Sequence, residues 1–151
     1  MHISIEEIEY RRSLLSLSHQ ELQQLVDLGG QIDLEYLLDQ VVITFYQQQT
    51  SISEIASLIG DIDTLSRLQH AQRQYLVELF SGNYDANYVN NRLRIGLVHK
   101  RIGVEPKLYL SAVYHLKIML ISMIQQQLGD TEEVVSLTSH YHNLLRQWGD
   151  L

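Results

Sequence analysis

The residue of this chain best placed to do chemistry is His99. It lies in the segment RIGLVHKRIGVEP, residues 94–106, on the apolar side of a predicted helix that ends at Gly103. A neutral imidazole in such a position can bind a metal ion or the iron of a haem. An ordinary core histidine is the alternative. The function that the sequence predicts depends on whether His99 is such a ligand or a core histidine.

Two further residues on the His99 face of the helix bear on that choice. Gly96 lies three positions before His99, and Arg92 lies seven positions before it. At about 100° per residue, both therefore share the helix face of His99. A glycine inside a helix costs about 1 kcal/mol relative to alanine, so Gly96 indicates either a flat ring beside the imidazole or close packing of another helix. Arg92 could pair with the carboxylates of a haem, although a single arginine more often belongs to a solvated face. The other residues of this face are Tyr88, Ile95 and Ile102.

Length, charge and cysteine content limit the class of protein. The 151 residues, with a single proline, fit one domain. A net charge of −7, from 18 acidic and 11 basic residues, argues against nucleic acid or an anionic membrane as a partner. There is no cysteine, which excludes disulfides and thiolate metal sites. Because no signal peptide and no apolar run of about 20 residues is apparent, we expect a cytoplasmic protein without a membrane span.

Signals for the start and the end of helices recur along the chain, whereas strand signals do not. They predict an all-α chain of seven or eight helices with short connections. The segment IMLISMI, residues 118–124, is apolar nearly all round, so we expect it to be buried either at the centre of the domain or against a second subunit. The start signals are Ser18–Glu21, Asp33, Ser51–Glu54, Asp61 or Asp63, Asp85, Pro106 and Asp130–Glu133, and the stop signals are Gly29–Gly30, Gly82, Gly103 and Gly129.

Residues 94–112, RIGLVHKRIGVEPKLYLSA, resemble the proximal F-helix and the start of the G-helix in the sensor-globin family, the haem domains of bacterial globin-coupled sensors. The resemblance implies a single domain over residues 1–151, with a globin fold that lacks a D-helix and has an extra N-terminal helix. It implies haem b as the cofactor, with His99 as the proximal iron ligand. It also implies a sensor of O2, or of NO or CO, and not an enzyme. Such domains form homodimers through their last two helices and regulate an attached output domain, often a diguanylate cyclase.

The same resemblance assigns residues to the gas-binding side of the haem. The pair Phe45-Tyr46 matches aromatic residues whose tyrosine donates a hydrogen bond to the bound gas. Leu68 and Ala71 fall where the family lines the distal side, and some relatives carry a hydroxyl residue there. Gln72 is a second potential donor if it reaches the pocket. The predicted haem site consists of His99, Tyr46, Phe45, Leu68, Ala71, Gln72, Tyr75, Arg92, Ile95, Gly96, Ile102 and Tyr109.

The remaining histidines do not suggest a second site. His70 lies two positions from Leu68, which turns it about 200° away and predicts an exposed side chain. His140 and His142 have the same spacing and cannot both face one metal ion. Two other functions stay open: a haem-free helical interaction module in which His99 is a core residue, and a haem globin that acts in nitric oxide chemistry with a reductase partner.

Overall fold

A computed structural model describes residues 4–7, 23, 26–27, 29–81, 85–129, 132 and 135. Within these ranges there is no strand, and five helices are described from end to end, which confirms the all-α prediction. The capping boxes at 18–21 and 130–133, and the residues His140 and His142, lie wholly or mostly outside the described residues. The helices are α1 (Leu34–Thr50), α2 (Ser53–Ile59), α3 (Ile62–Leu79), α4 (Ala86–Arg101) and α5 (Pro106–Leu128).

Aspartates begin three of the helices, as the sequence predicts. The carboxylates of Asp33, Asp61 and Asp85 each accept the backbone N–H three residues further on, at 3.2, 2.6 and 3.0 Å. Each bond satisfies one of the backbone donors that a helix start leaves unpaired. Of the two candidates for the start of α3, Asp61 is therefore the cap. Pro106 occupies the first turn of α5, where its missing N–H costs nothing.

The predicted capping box at Ser51–Glu54 is wrong. Helix α2 begins at Ser53, and the preceding residue, Ile52, makes no capping bond with its side chain. The hydroxyl of Ser51 donates instead to the carbonyl oxygen of Gln48 at 2.6 Å, at the end of α1. Serine pairs with either kind of helix end, and here the carbonyl at the end of the preceding helix is the partner.

Gly29–Gly30 does not stop a helix, contrary to the prediction. Residues 29–31 are helical. A Cβ added to Gly29 would lie 3.4 Å from a ring carbon of Phe80, so the absence of a side chain there allows close packing. The glycine therefore marks a contact inside the fold and not a helix end.

Helix α1 is the centre of the described fold and packs against α5, α3 and α2. Its inner residues recur every three or four positions, as burial of one helical face requires. Leu38 and Val41 are 0% exposed, and full burial of such a side chain contributes about 1.5–3 kcal/mol. The buried core consists of Leu37, Leu38, Val41, Val42, Leu76, Phe80, Leu120 and Ile124.

Helix α5 is apolar along most of its length but only partly covered. Leu120 and Ile124 are its buried residues, and both belong to the core around α1. Leu110 and Tyr114 remain 57% and 45% exposed. By length and composition alone, α5 is the one helix among those described that could cross a membrane. The core of a globular domain also requires such a helix, and α5 contributes to one.

Candidate functional site

His99 lies half-buried in the last turn of α4, the helix that the sequence predicts for it. Its Nδ1 is 2.8 Å from the carbonyl oxygen of Ile95, one turn earlier. Because a carbonyl oxygen only accepts, the proton must be on Nδ1, which leaves the lone pair on Nε2. A hydrogen bond of this kind sets the tautomer and the ring orientation of histidines that bind metals. In the neutral imidazole of His99, Nε2 is therefore the nitrogen that can act as a donor atom.

The helix beside His99 is open at Gly96. Although Gly96 is half-buried, a Cβ built on it meets no heavy atom of the described residues within 4 Å. Among the described helices, therefore, none packs closely against Gly96, which was one of the two explanations for this glycine. Helix α4 also contributes no fully buried residue. The space next to His99 suits the other explanation, a flat ring against the helix.

Tyr109, at the start of α5, lies against the His99 ring. The two ring centroids are 5.0 Å apart, with planes inclined at 58°. Ile95 is half-buried on the same side of α4, whereas Ile102, just after its end, is 54% exposed. The structure thus brings His99, Ile95 and Tyr109 together at the carboxyl end of α4.

Tyr46 lies on α1 with its ring against that of Phe45, at 5.1 Å between centroids and in a T-shaped arrangement. Phe45 is buried, so its contact with the Tyr46 ring restricts the position of that ring. The Tyr46 hydroxyl makes no hydrogen bond within the described part of the chain, and burial raises its pKa to about 12. At neutral pH it is therefore a phenol with a proton to donate.

The predicted distal residues on α3 differ in exposure. Leu68 and Gln72 are half-buried, and Ala71 is exposed. His70 is exposed, as predicted. The side-chain carbonyl oxygen of Gln72 is buried and has no hydrogen-bond partner among the described residues. A buried carbonyl oxygen without a partner costs about 1–3 kcal/mol, which requires an explanation beyond packing.

Arg92 makes tertiary contacts that its position on the His99 face does not reveal. Its guanidinium stacks on the ring of Tyr75 from α3 and donates to the carbonyl oxygen of Tyr75 at 3.0 Å. It also stacks on Tyr88 and pairs with Glu78 at 3.4 Å. The spacing of Tyr88 and Arg92, four residues apart on one helix, is a signal that could have predicted part of this cluster.

A sequence profile of the protoglobin family matches residues 4–145 of the chain. The chain belongs to the protoglobin family. This membership confirms the resemblance to sensor globins, on which the expectations for the fold were based. Between α1 and α3 this protoglobin has one short helix, α2, in agreement with a globin that lacks a D-helix.

Three similarities to other proteins accompany this family match. The protoglobin is 31% identical over 107 residues to the heme-based aerotactic transducer HemAT of Halobacterium salinarum. The aligned residues make up 70% of this chain but 22% of that protein. Its fold matches the globin domain of a Geobacter sulfurreducens globin-coupled sensor with a TM-score of 0.78 and 23% identity, over 95% of this chain and 91% of that chain. A stretch of 28 residues, 18% of this chain, is 68% identical to 12% of a PKHD-type hydroxylase of Herminiimonas arsenicoxydans.

Proposed function

We propose that this protoglobin binds haem b through Nε2 of His99 and senses O2 for an attached output domain. The orientation of His99 carries the proposal, because the bond from Nδ1 to Ile95 makes Nε2 the donor atom beside the open space at Gly96. A ferrous haem supplies the open coordination position at which a diatomic gas binds. The similarity to a heme-based aerotactic transducer supports the same conclusion.

A haem suits this site better than a bare metal ion. The described part of the chain has no group of three or more histidine or acidic side chains that could hold an ion. Protein sites for zinc and related ions need about three or four side-chain ligands. A haem brings four nitrogen ligands of its own, so one histidine from the protein suffices.

Tyr46 is the residue we assign to the gas ligand. O2 gains partial negative charge on binding, and a neutral hydroxyl donor stabilises it by about 1–2 kcal/mol, or roughly tenfold in affinity. Burial raises the pKa of Tyr46 further above physiological pH, at which its hydroxyl is protonated and can donate. Leu68 and Ala71 supply apolar walls on the same side, and the amide of Gln72 is a second donor. NO and CO gain less from such donors, which favours O2 as the ligand.

The other residues of the predicted site would form its proximal wall. Ile95, Gly96 and Ile102 flank His99 on α4 and just after it, and Tyr109 covers the imidazole from α5. Tyr75 joins this wall from α3 through Arg92. The contact with Tyr109 restricts rotation of the imidazole.

A signal requires a second element that differs between gas-free and gas-bound states, because a ligand shifts an equilibrium only by its differential affinity. We assign this role to a homodimer formed by α5 and the last helix. The exposed side chains of Leu110 and Tyr114 give α5 an uncovered apolar surface for this dimer. A diguanylate cyclase is our choice of output domain, and the cytoplasm is the location it implies.

Absorption spectroscopy of the purified chain after reconstitution with haem tests the proposal. We expect a Soret band for the wild type and a lost or shifted band for His99→Ala. His115→Ala, which removes another half-buried helical histidine, is the matched control and should resemble the wild type. No Soret band, or the same band in His99→Ala, would contradict the proposal and favour a haem-free helical module. Rapid turnover of nitric oxide with added reductant would instead indicate an enzyme.

A further inference from the structure

Arg92 joins the helix that carries His99 to helix α3. Its guanidinium carbon lies 3.7 Å from the ring centroid of Tyr75 and 4.2 Å from that of Tyr88, so it contacts one ring from each helix. A terminal nitrogen donates to the carbonyl oxygen of Tyr75 at 3.0 Å and lies 3.4 Å from a carboxylate oxygen of Glu78. The side chain is only 18% exposed, and such contacts are strongest when water is excluded.

This arrangement has a cost that a simple apolar contact between two helices would avoid. The Nε of Arg92 is buried and has no hydrogen-bond partner in the described part of the chain. Burying a cation is expensive, and well-packed apolar side chains often hold two helices together as well or better. What the guanidinium adds is geometry, because it is a flat plate of fixed thickness with directed N–H groups. Because the rings of Tyr75 and Tyr88 both contact the same guanidinium, the two contacts limit the distance between the rings.

The position of Arg92 along α4 relates this geometry to the candidate site. Arg92 precedes His99 by seven residues, about two helical turns, on the same face. Helix α4 is held to α3 at Arg92 and touches α5 where His99 meets Tyr109. Between these two contacts, the helix borders the open space at Gly96. The separation of α4 from α3 therefore depends on the Arg92 contacts.

We infer that Arg92 is a positioning residue, which holds α4 at the distance from α3 that the haem site needs. It does so through Tyr75 and Glu78, and it does not pair with the haem carboxylates. The inference rests on the proposed function, since it assigns a role within the same site. It predicts that the planar shape of the side chain matters in addition to its charge, so Arg92→Lys should behave like Arg92→Met and not like the wild type.

The first test uses the haem-loaded protein. Arg92→Met and Arg92→Lys should both shift the iron–histidine stretching band in the resonance Raman spectrum and lose haem to a globin acceptor about tenfold faster than the wild type. Glu78→Gln, which keeps the contacts of Arg92 with the rings of Tyr75 and Tyr88, should have a smaller effect. Arg94→Gln is the matched control, because it removes one positive charge from an exposed position two residues away. Unchanged band positions and haem loss in the Arg92 variants would overturn the inference.

The second test needs no haem and separates this inference from the proposed function. The chain has no native cysteine, so spin labels can be attached at His70→Cys on α3 and Asn91→Cys on α4, both exposed. We expect Arg92→Met to shift and broaden the distance between the labels, and Arg94→Gln to leave it unchanged. An unaltered distance in Arg92→Met would overturn the positioning role even in a protein that binds haem. Failure of the wild type to bind haem would overturn the proposed function alone.

Discussion

The carbonyl oxygen of His99 accepts a hydrogen bond from the backbone N–H of Val104 at 3.1 Å, across the end of α4. The N–H of Gly103 donates in turn to the carbonyl oxygen of Lys100 at 3.2 Å. Together the two bonds form a Schellman motif, which requires a left-handed residue at its close. Gly103 supplies it with a φ of +82°. The turn that ends α4 thus also fixes the main chain of the candidate haem ligand.

Gly103→Ala should therefore affect both stability and the haem site. An alanine in the left-handed region costs about 1–2 kcal/mol, and relief of that strain would move the carbonyl of His99. Gly129→Ala is a matched control, because Gly129 ends α5 with a φ of +70° and lies far along the chain from His99. We expect both variants to lose free energy of unfolding, Gly129→Ala the more because a ψ of −163° beside its positive φ is a conformation essentially restricted to glycine, but a shifted Soret band for Gly103→Ala only. Identical spectra would contradict the link between this turn and His99.

Substitutions of Gly96 should separate the stability of α4 from haem binding. Because a Cβ at Gly96 meets nothing within 4 Å, Gly96→Ala should raise the free energy of unfolding of the haem-free protein by up to about 1 kcal/mol. Gly96→Leu should fill the space beside His99 and weaken haem binding while the helix stays folded. Denaturant unfolding and haem titration measure the two effects.

Gly30 provides the control for these variants. It is also helical, and a Cβ there also meets nothing within 4 Å. Gly30→Leu should leave haem affinity unchanged. If Gly96→Leu binds haem as tightly as Gly30→Leu does, the space beside Gly96 is not where the haem lies.

The accuracy of the sequence predictions follows the range of the interactions involved. The caps at Asp33 and Asp85 were predictable, because each bond spans three residues. The assignment of Ser51 failed although it is equally local, since the hydroxyl chose the carbonyl of Gln48 over an N–H of the next helix. The contacts of Arg92 with α3 could not be predicted, because they join residues 14 to 17 positions apart whose proximity depends on how the helices pack.

The candidate site shows the same division. The inward position of His99 followed from helical periodicity, whereas its roles and those of Tyr46 came from a family resemblance. Helical periodicity predicts the helix face on which His99 lies, but it does not predict the tautomer of His99. That tautomer depends on the hydrogen bond to the carbonyl oxygen of Ile95. Periodicity also cannot distinguish a glycine that allows close packing from a glycine that borders open space. Gly29 is of the first kind, and Gly96 is of the second kind among the described residues.

The buried hydroxyl of Tyr46 predicts a pH dependence of stability. Its pKa is raised from 10.0 to about 12 in the folded chain. Between these values the folded state keeps a proton that the unfolded state has lost, so the free energy of unfolding should fall as the pH rises through this window. Tyr46→Phe should make that fall less steep, as measured by denaturant unfolding of the haem-free protein. Tyr36→Phe, which removes the hydroxyl from an exposed ring of the same helix, is the control.

Tyr46→Phe should also release O2 faster from the haem-loaded protein. Loss of one hydrogen bond to the ligand corresponds to about a tenfold faster dissociation, whereas CO release should change little. Stopped-flow mixing with a ligand competitor measures both rates. Equal acceleration for the two gases would indicate a general opening of the pocket, and no acceleration for O2 would assign the donor role to another group.

Gln72→Leu should act in opposite directions on stability and on O2 binding. The buried carbonyl oxygen of Gln72 has no partner, so its removal should raise the free energy of unfolding of the haem-free protein by about 1 kcal/mol. If the amide donates to the gas, the same change should speed O2 dissociation, by about tenfold at most. Gln126→Leu, at an exposed position of α5, should do neither. A loss of stability in Gln72→Leu with unchanged O2 release would make Gln72 a packing residue and leave Tyr46 as the distal donor.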